Sequence, residues 1–327
     1  MNRRSFALVF SASAIALSGF VSAAAPRSAF AQAAAAPVSP VTPRIADHVF
    51  IVSFDGGKPA VMKESRMPTF MKMMQEGAGT WEASTIFPSI TLTSHTSMLT
   101  GVGPEKHKVL WNEWVPEKGM VTVPTIFSLA KKQDKNISTA MFVGKQKFAH
   151  LFLPGSLNGF SMPSYSAKIV ARQAADYIQQ EKPNLCFIHF ADSDGAGHQY
   201  GWGTPQQIQA FADEDQALAV VRDAIKRAGI EKTSLVILTA DHGGHAKTHG
   251  TRSAEDMIIP WVIWGAGVKK NFTITTPVTT YDSAATALYA LGVALPAEFD
   301  GKPVVSAFLN APAGATAGAA AMPGAAK

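Results

Sequence analysis

Residues Ser234–Gly250 read SLVILTADHGGHAKTHG. The first part, SLVILTA, is an unbroken apolar or small run without polar alternation. Such a strand is buried on both faces, as in a parallel sheet covered by helices. The run stops at Asp241-His242, two glycines follow, and two more histidines arrive by position 249. The chain has nine histidines, and three of them fall in these eight positions. A buried core histidine needs only a hydrogen-bond partner. Imidazoles crowded beside a carboxylate at a strand end have the composition of a metal site.

The same punctuation recurs along the chain. HVFIVSF (48–54) is followed by Asp55, STAMFV (138–143) by Gly144-Lys145, and NLCFIHF (184–190) by Asp192 and Asp194. IPWVIWG (259–265) is a fifth apolar run. Helical patterns alternate with these runs at 67–77, 123–133, 166–180, 204–229 and 282–292. The alternation predicts an α/β fold, a mostly parallel central sheet with helices on both faces. In such a sheet the C-terminal strand ends share one edge, where ligands bind. Asp55, Lys145, Asp194 and Asp241 are therefore expected to converge.

The 327 residues suffice for one large α/β domain. Residues 1–31 read as an export signal, with a basic start, an Ala/Ser-rich apolar run and AFA before Gln32 as the cleavage site. Arg3-Arg4-Ser5-Phe6 resembles a twin-arginine signal, so a periplasmic or secreted protein is expected. Its removal takes Arg3, Arg4 and Arg27 and no acid, lowering the formal charge from +5 to +2. No Lys/Arg run is left to suggest a nucleic-acid polymer as partner. Residues 32–44 read as a flexible linker, 45–310 as the folded unit, and 311–327 as a disordered Ala/Gly/Pro tail. Cys186, the single cysteine, reads as a small buried hydrophobe. After the signal, no segment is long and apolar enough for a stable membrane span.

Asp194 and His198 stand in DSDGAGH, where Gly195 and Gly197 argue for a loop that folds both side chains onto one ion. Asp241 and His242 leave the strand into Gly243-Gly244, which frees both to point at the sheet edge. His249 returns to the same place, and Asp55 in FDGG completes the set. Three carboxylates and three imidazoles suit zinc, with manganese or iron as alternatives. Divided between two ions, they leave the open positions that catalysis needs. A phosphate-like oxyanion suits the residual positive charge. A hydroxyl nucleophile is expected in FPSITLTSHTSMLTG (87–101), where a Pro precedes a helix start whose free N–H groups favour an anion. Ser89, Thr91 and Thr93 are the candidates, and composition does not separate them.

FDGG, FPSITLTSH with MLTG, HKVLWN, DGAGH, ADHGGH, THG followed by IPWVIWGAGVKK, and DGKP resemble, in that order, the alkaline phosphatase superfamily. The resemblance is to its branch of type I phosphodiesterases and nucleotide pyrophosphatases, and it covers about residues 45–303. It implies Thr91, four residues before His95, as the nucleophile. Thr93-Ser94 replace the branch's usual proline-asparagine, which keeps Thr93 as a minor rival. It implies one zinc on Asp194, His198 and His249, and a second on Asp55, Asp241 and His242 together with Thr91. The branch often carries a long insertion before its last histidine ligand. The interval here is short, so His245 competes with His249, which the residues after it favour. Asn112 falls where the branch binds a phosphate oxygen. His95, His107 and His189 receive no role and read as structural.

The resemblance implies an exported two-metal phosphate-ester hydrolase that works through a phosphothreonine, with a small phosphate ester as substrate. GKQKF (144–148) offers Lys145 and Lys147, which resemble the paired basic residues that monoesterases and phosphonoacetate hydrolases of the superfamily set near terminal oxygens. Two ammonium groups suit a dianionic monoester, so the reading leans to a phosphomonoesterase. Phosphodiester or nucleotide pyrophosphate hydrolysis is the alternative. Phosphonate hydrolysis and a non-catalytic zinc-binding protein of the same fold follow it. No Cys or Ser stands in the C/S-x-P-x-R context of a sulfatase nucleophile.

Overall fold

The computed structural model describes residues 44–310. The expected signal at 1–31, the linker up to its last residue and the tail at 311–327 lie outside the described residues. Among the described residues, eight strands form one sheet: β1 (His48–Phe54), β2 (Ala78–Ser84), β3 (Thr139–Phe142), β4 (Gly159–Ser161), β5 (Leu185–Phe190), β6 (Ser234–Ala240), β7 (Ile258–Gly265) and β8 (Phe272–Thr273). Their order is β4-β3-β5-β1-β6-β7-β2-β8. The five from β4 to β6 are parallel, and β7 runs antiparallel to both neighbours.

The helices are α1 (Pro59–Glu64), α2 (Pro68–Glu76), α3 (Thr91–Thr100), α4 (Pro104–His107), α5 (Ile126–Gln133), α6 (Ala167–Glu181), α7 (Asp192–Tyr200), α8 (Pro205–Arg227), α9 (Ala254–Met257) and α10 (Asp282–Ala290). Alternation along β1 divides the core between the two sheet faces. Val49 and Ile51 pack with Leu92 and Leu99 of α3, Phe127 of α5 and Leu288 of α10. Phe50, Val52 and Phe54 pack with Phe70 of α2, Val170 of α6 and Leu218 of α8. Among the described residues no helix is long and apolar enough to cross a membrane. Cys186 is buried on β5, and burial pushes its thiol pKa up.

All five apolar runs are strands, two with the expected bounds and three within one residue of them. β2 escaped that reading because AGTWEAS has no apolar run; its burial comes from pairing with β7. The direction of β7 was not legible either, since a doubly buried strand shows the same run in both directions.

One expectation is corrected. DSDGAGH is not a loop but the body of α7. Its glycines serve close packing rather than chain freedom. A Cβ on Gly195 would lie 2.9 Å from the Tyr165 hydroxyl, and one on Gly197 would lie 2.8 Å from the Trp202 ring. The helix still puts Asp194 and His198 on one face, because residues four apart are neighbours.

Candidate active site

α3 is polar in sequence, TLTSHTSMLT, yet every residue in it is buried. Most of its polar side chains find hydrogen-bond partners, within the helix or across to neighbouring elements, which makes that burial tolerable. Thr96 and Thr100 donate to carbonyls one turn back at 2.7 and 2.6 Å. Ser94 Oγ donates to the Asp241 carbonyl at 2.7 Å, tying the helix to the end of β6. Ile90 is extended, and the helix begins at Thr91. Thr91 therefore stands in the first turn, beside the end of the neighbouring parallel strands.

The strand ends deliver the rest. Asp55 follows β1, Asp241-His242 follow β6, and Asp194 and His198 extend from α7, which follows β5. His249 comes from the loop after β6. Ligand atoms of Asp194, His198 and His249 lie within 4.8 Å of one another, as do those of Asp55, Asp194 and His242. Asp241 Oδ2 is 3.2 Å from His242 Nε2, and Asp241 Oδ1 accepts from the Gly56 N–H at 3.1 Å.

Three imidazoles are oriented in the same way. His242 Nδ1 is 2.8 Å from the Gly243 carbonyl, His198 Nδ1 is 3.0 Å from that of Lys247, and His249 Nδ1 is 2.8 Å from that of Ser89. A carbonyl only accepts, so in each ring Nδ1 carries a proton, and in the neutral ring it is Nε2 that presents the lone pair. The three Nε2 atoms face the aspartates. Burial, helped by the stacked His249 ring, pushes the His242 pKa down to about 3. His249 is lowered too, chiefly by burial. Neutral, Nδ1-anchored imidazoles are what a metal site uses.

The carboxylates complete the test of fit. Asp55 Oδ1, Asp194 Oδ1 and Asp241 Oδ2 are buried with no hydrogen-bond donor, a costly state for a carboxylate oxygen unless a cation faces it. Burial and the neighbouring Asp55 charge push the Asp241 pKa well up. Burial also acts to raise Asp55, but the Lys145 ammonium and a hydrogen bond from His189 hold it well below the usual carboxylate range. One such oxygen per aspartate, met by three Nε2 lone pairs, fits divalent cations bound by mixed N/O ligands.

A cavity of about 420 Å³ opens beside this cluster, lined by Thr91, Asn112, Lys145, Lys147, Asp194, His198 and His249, with Glu113, Trp114 and Tyr165 among the others. Of the three candidate hydroxyls, only Thr91 lines it, with Oγ1 3.4 Å from His242 Nε2. Ser89 Oγ donates to the Thr251 carbonyl, and Thr93 Oγ1 is buried within α3 without a partner. Asn112 Oδ1 accepts from the Leu92 N–H at 2.9 Å, which leaves its NH₂ as donor. His245 is committed to Asp256 at 2.7 Å, whereas His249 belongs to the cluster.

Lys145 lines the cavity and converges with the aspartates, with which it pairs directly. Its Nζ lies 2.7 Å from Asp55 Oδ2 and 2.5 Å from Asp194 Oδ2. Burial opposes its charge, but the two carboxylates raise its pKa well above normal. Lys147 stands on the cavity wall 3.9 Å from Glu113. Sequence reasoning gives His189, which touches Asp55 at 2.8 Å, only a structural part, and it passes over the cavity residues Trp114 and Tyr165. A lone His one residue before the end of an apolar strand was the available signal for the first.

This sheet order, with an Asp/His cluster beyond its parallel strand ends, defines an α/β protein with a candidate metal centre at the edge of its sheet. Residues 49–255 match the family described as type I phosphodiesterase/nucleotide pyrophosphatase. The chain belongs to that family.

It is 25% identical over 199 residues to human ectonucleotide pyrophosphatase/phosphodiesterase family member 1, covering 54% of this chain and 21% of that one. It is 25% identical over 224 residues to bis(5'-adenosyl)-triphosphatase of Xenopus laevis, covering 63% and 48%. Among solved structures, an inactive murine ectonucleotide pyrophosphatase/phosphodiesterase 5 in complex with AMP superposes with a TM-score of 0.64 at 16% identity, covering 76% of this chain and 96% of that one. The chain spans between about a fifth and a half of the length of these curated relatives.

The family match favours the phosphodiesterase/nucleotide pyrophosphatase alternative over the monoesterase lean. That lean set the Lys145 and Lys147 ammonium groups near terminal oxygens; both line the cavity, and Lys145 also pairs with Asp55 and Asp194.

Proposed function

We propose that the chain is a metal-dependent hydrolase of small phosphodiesters or nucleotide pyrophosphates, with Thr91 as nucleophile. The observation that carries this reading is the shared aim of three Nε2 lone pairs and three donor-free aspartate oxygens beside a cavity that Thr91 lines. Asp194, His198 and His249 would hold one ion, and Asp55, Asp241 and His242 with Thr91 the other, zinc being the best match to the donors. Bound divalent ions supply Lewis acidity at the phosphoryl oxygens and favour the ionised hydroxyl.

The residues then act as follows. Thr91 Oγ attacks phosphorus in line, the P–O bond to the leaving group breaks, and the phosphoryl group rests on Thr91. The first turn of α3 adds a positive field at the attacking oxygen. The Asn112 NH₂ donates to a phosphoryl oxygen and holds it for attack. Water then breaks the Thr91–phosphorus bond. Two in-line displacements leave the configuration at phosphorus retained, which a chiral phosphorothioate ester would report.

The site supports a monoester reading as well, because the Lys147 ammonium lies on the wall shared with Thr91. Hydrolysis of bis-p-nitrophenyl phosphate, a dinucleoside polyphosphate and p-nitrophenyl phosphate, with metal analysis of the same sample, separates the readings. A preference in kcat/KM for the diester or the polyphosphate is expected. Inertness of all three with two zincs bound would overturn the enzyme reading. The ecto- and venom names among relatives support export, which remains part of the proposal.

A further inference from the structure

His189 sits on β5, between β3 and β1 in the sheet. It pairs in register with Ser53, two residues before Asp55. Its ring is fully buried against Phe148 and His95. Both nitrogens are used, each toward a different neighbouring strand end. The Gly144 N–H donates to Nδ1 at 3.3 Å. A backbone N–H only donates, so Nδ1 is the bare nitrogen and Nε2 carries the proton. Nε2–H therefore donates to Asp55 Oδ2 at 2.8 Å. This tautomer is opposite to that of His198, His242 and His249.

The consequence concerns which oxygen of Asp55 is available. Oδ2 receives His189 and Lys145, whereas Oδ1 has no donor and lies 3.4 Å from His242 Nε2. We propose that His189 is a positioning residue that aims Asp55 Oδ1 into the metal cage and moors the Gly144–Lys145 turn to that carboxylate. The inference rests on the metal reading above and extends it. One ring sets a ligand's orientation and the position of the turn that leads to Lys147, so the ion site and the substrate wall are mechanically joined through β5.

The test compares His189→Gln with His189→Leu. Glutamine can accept from Gly144 through Oε1 and donate to Asp55 through Nε2. Leucine fills the space but leaves both partners buried and unsatisfied. Zinc titration of the metal-free protein against a chromophoric chelator should show one site weakened ten- to hundredfold in H189L, as for lost outer partners of metal ligands. H189Q should stay close to the parent. The Gly144 amide should exchange slowly in the parent and in H189Q, and fast in H189L.

A folded H189L that binds zinc as tightly as the parent would overturn the proposal, as would equal weakening in both variants. If the parent takes up no divalent ion, the metal reading itself fails, and the proposal fails with it. Where H189L does not fold, the parent and H189Q decide. Imidazole nitrogen NMR shifts reporting an Nδ1–H tautomer at His189, or an unprotected Gly144 amide, would equally sink the link.

Discussion

The ammonium of Lys145 and the carboxylate of Asp194 form a buried ion pair of 2.5 Å, and the same ammonium reaches Asp55 at 2.7 Å. Lys145 is thus the internal counter-ion of a cluster of aspartates that would otherwise repel one another. Removing one partner of such a pair costs about 3–5 kcal/mol because the other charge is left buried. Lys145→Met should therefore destabilise the metal-free protein by about that amount, read by urea unfolding in chelator, and added zinc should recover part of it. An unchanged midpoint in chelator would show that the aspartates do not depend on this cation.

Thr91 and Thr93 are separated by the cavity wall. Thr91→Ala should lower kcat by about a thousandfold or more, as for a lost nucleophile, with zinc content unchanged. Thr93→Val removes a hydroxyl that has no partner and should leave both activity and stability close to the parent. Steady-state kinetics with metal analysis checks the pair, and the opposite ranking would transfer the role to Thr93.

His249 and His245 lie four residues apart and should fail differently. His249→Ala should lose the ion shared with Asp194 and His198, seen as zinc stoichiometry falling on dialysis. His245→Ala leaves buried Asp256 short of one donor, although Thr251 still serves it through N–H and Oγ1. Its expected cost is about 1–3 kcal/mol of stability, with zinc content intact.

His107 gives stability a pH dependence away from the site. The Val109 N–H donates to its Nδ1, so Nε2–H donates to Ser97 Oγ. A second proton on Nδ1 would meet a donor, and burial pushes the pKa from 6.5 down to about 4. The unfolded chain then binds more protons than the folded one between pH 6.5 and about 4, so stability falls as pH falls through that window. The whole effect is on the order of 3 kcal/mol. His107→Asn should flatten the slope, read as Tm against pH in chelator. An equally steep slope in that variant would assign it to other groups.

Much of the fold was legible because doubly buried strands announce themselves as apolar runs, and 48–54 and 234–240 are strands to the residue. The elements missed are those whose burial depends on a distant partner. β2 owes its strand form to β7. α7 holds two glycines because Tyr165 and Trp202 press on it, a reason that lies outside its own sequence. Of the site, Asp55, Asp194, His198, Asp241, His242 and His249 were legible as polar punctuation after apolar runs.

By itself the sequence determined the alternation of strand and helix and the residue types gathered at the sheet edge, because burial dictates composition locally. Tertiary structure decided the chemistry of each group. Thr91 is distinguished from Ser89 and Thr93 by which hydroxyl meets the cavity. The Nε2 lone pairs of three histidines turn inward because carbonyls of Gly243, Lys247 and Ser89 hold their Nδ1 protons. Lys145 pairs with carboxylates rather than standing free. A hydrogen bond or an ion pair acts only over a few ångströms, and chain order does not say which distant groups come that close.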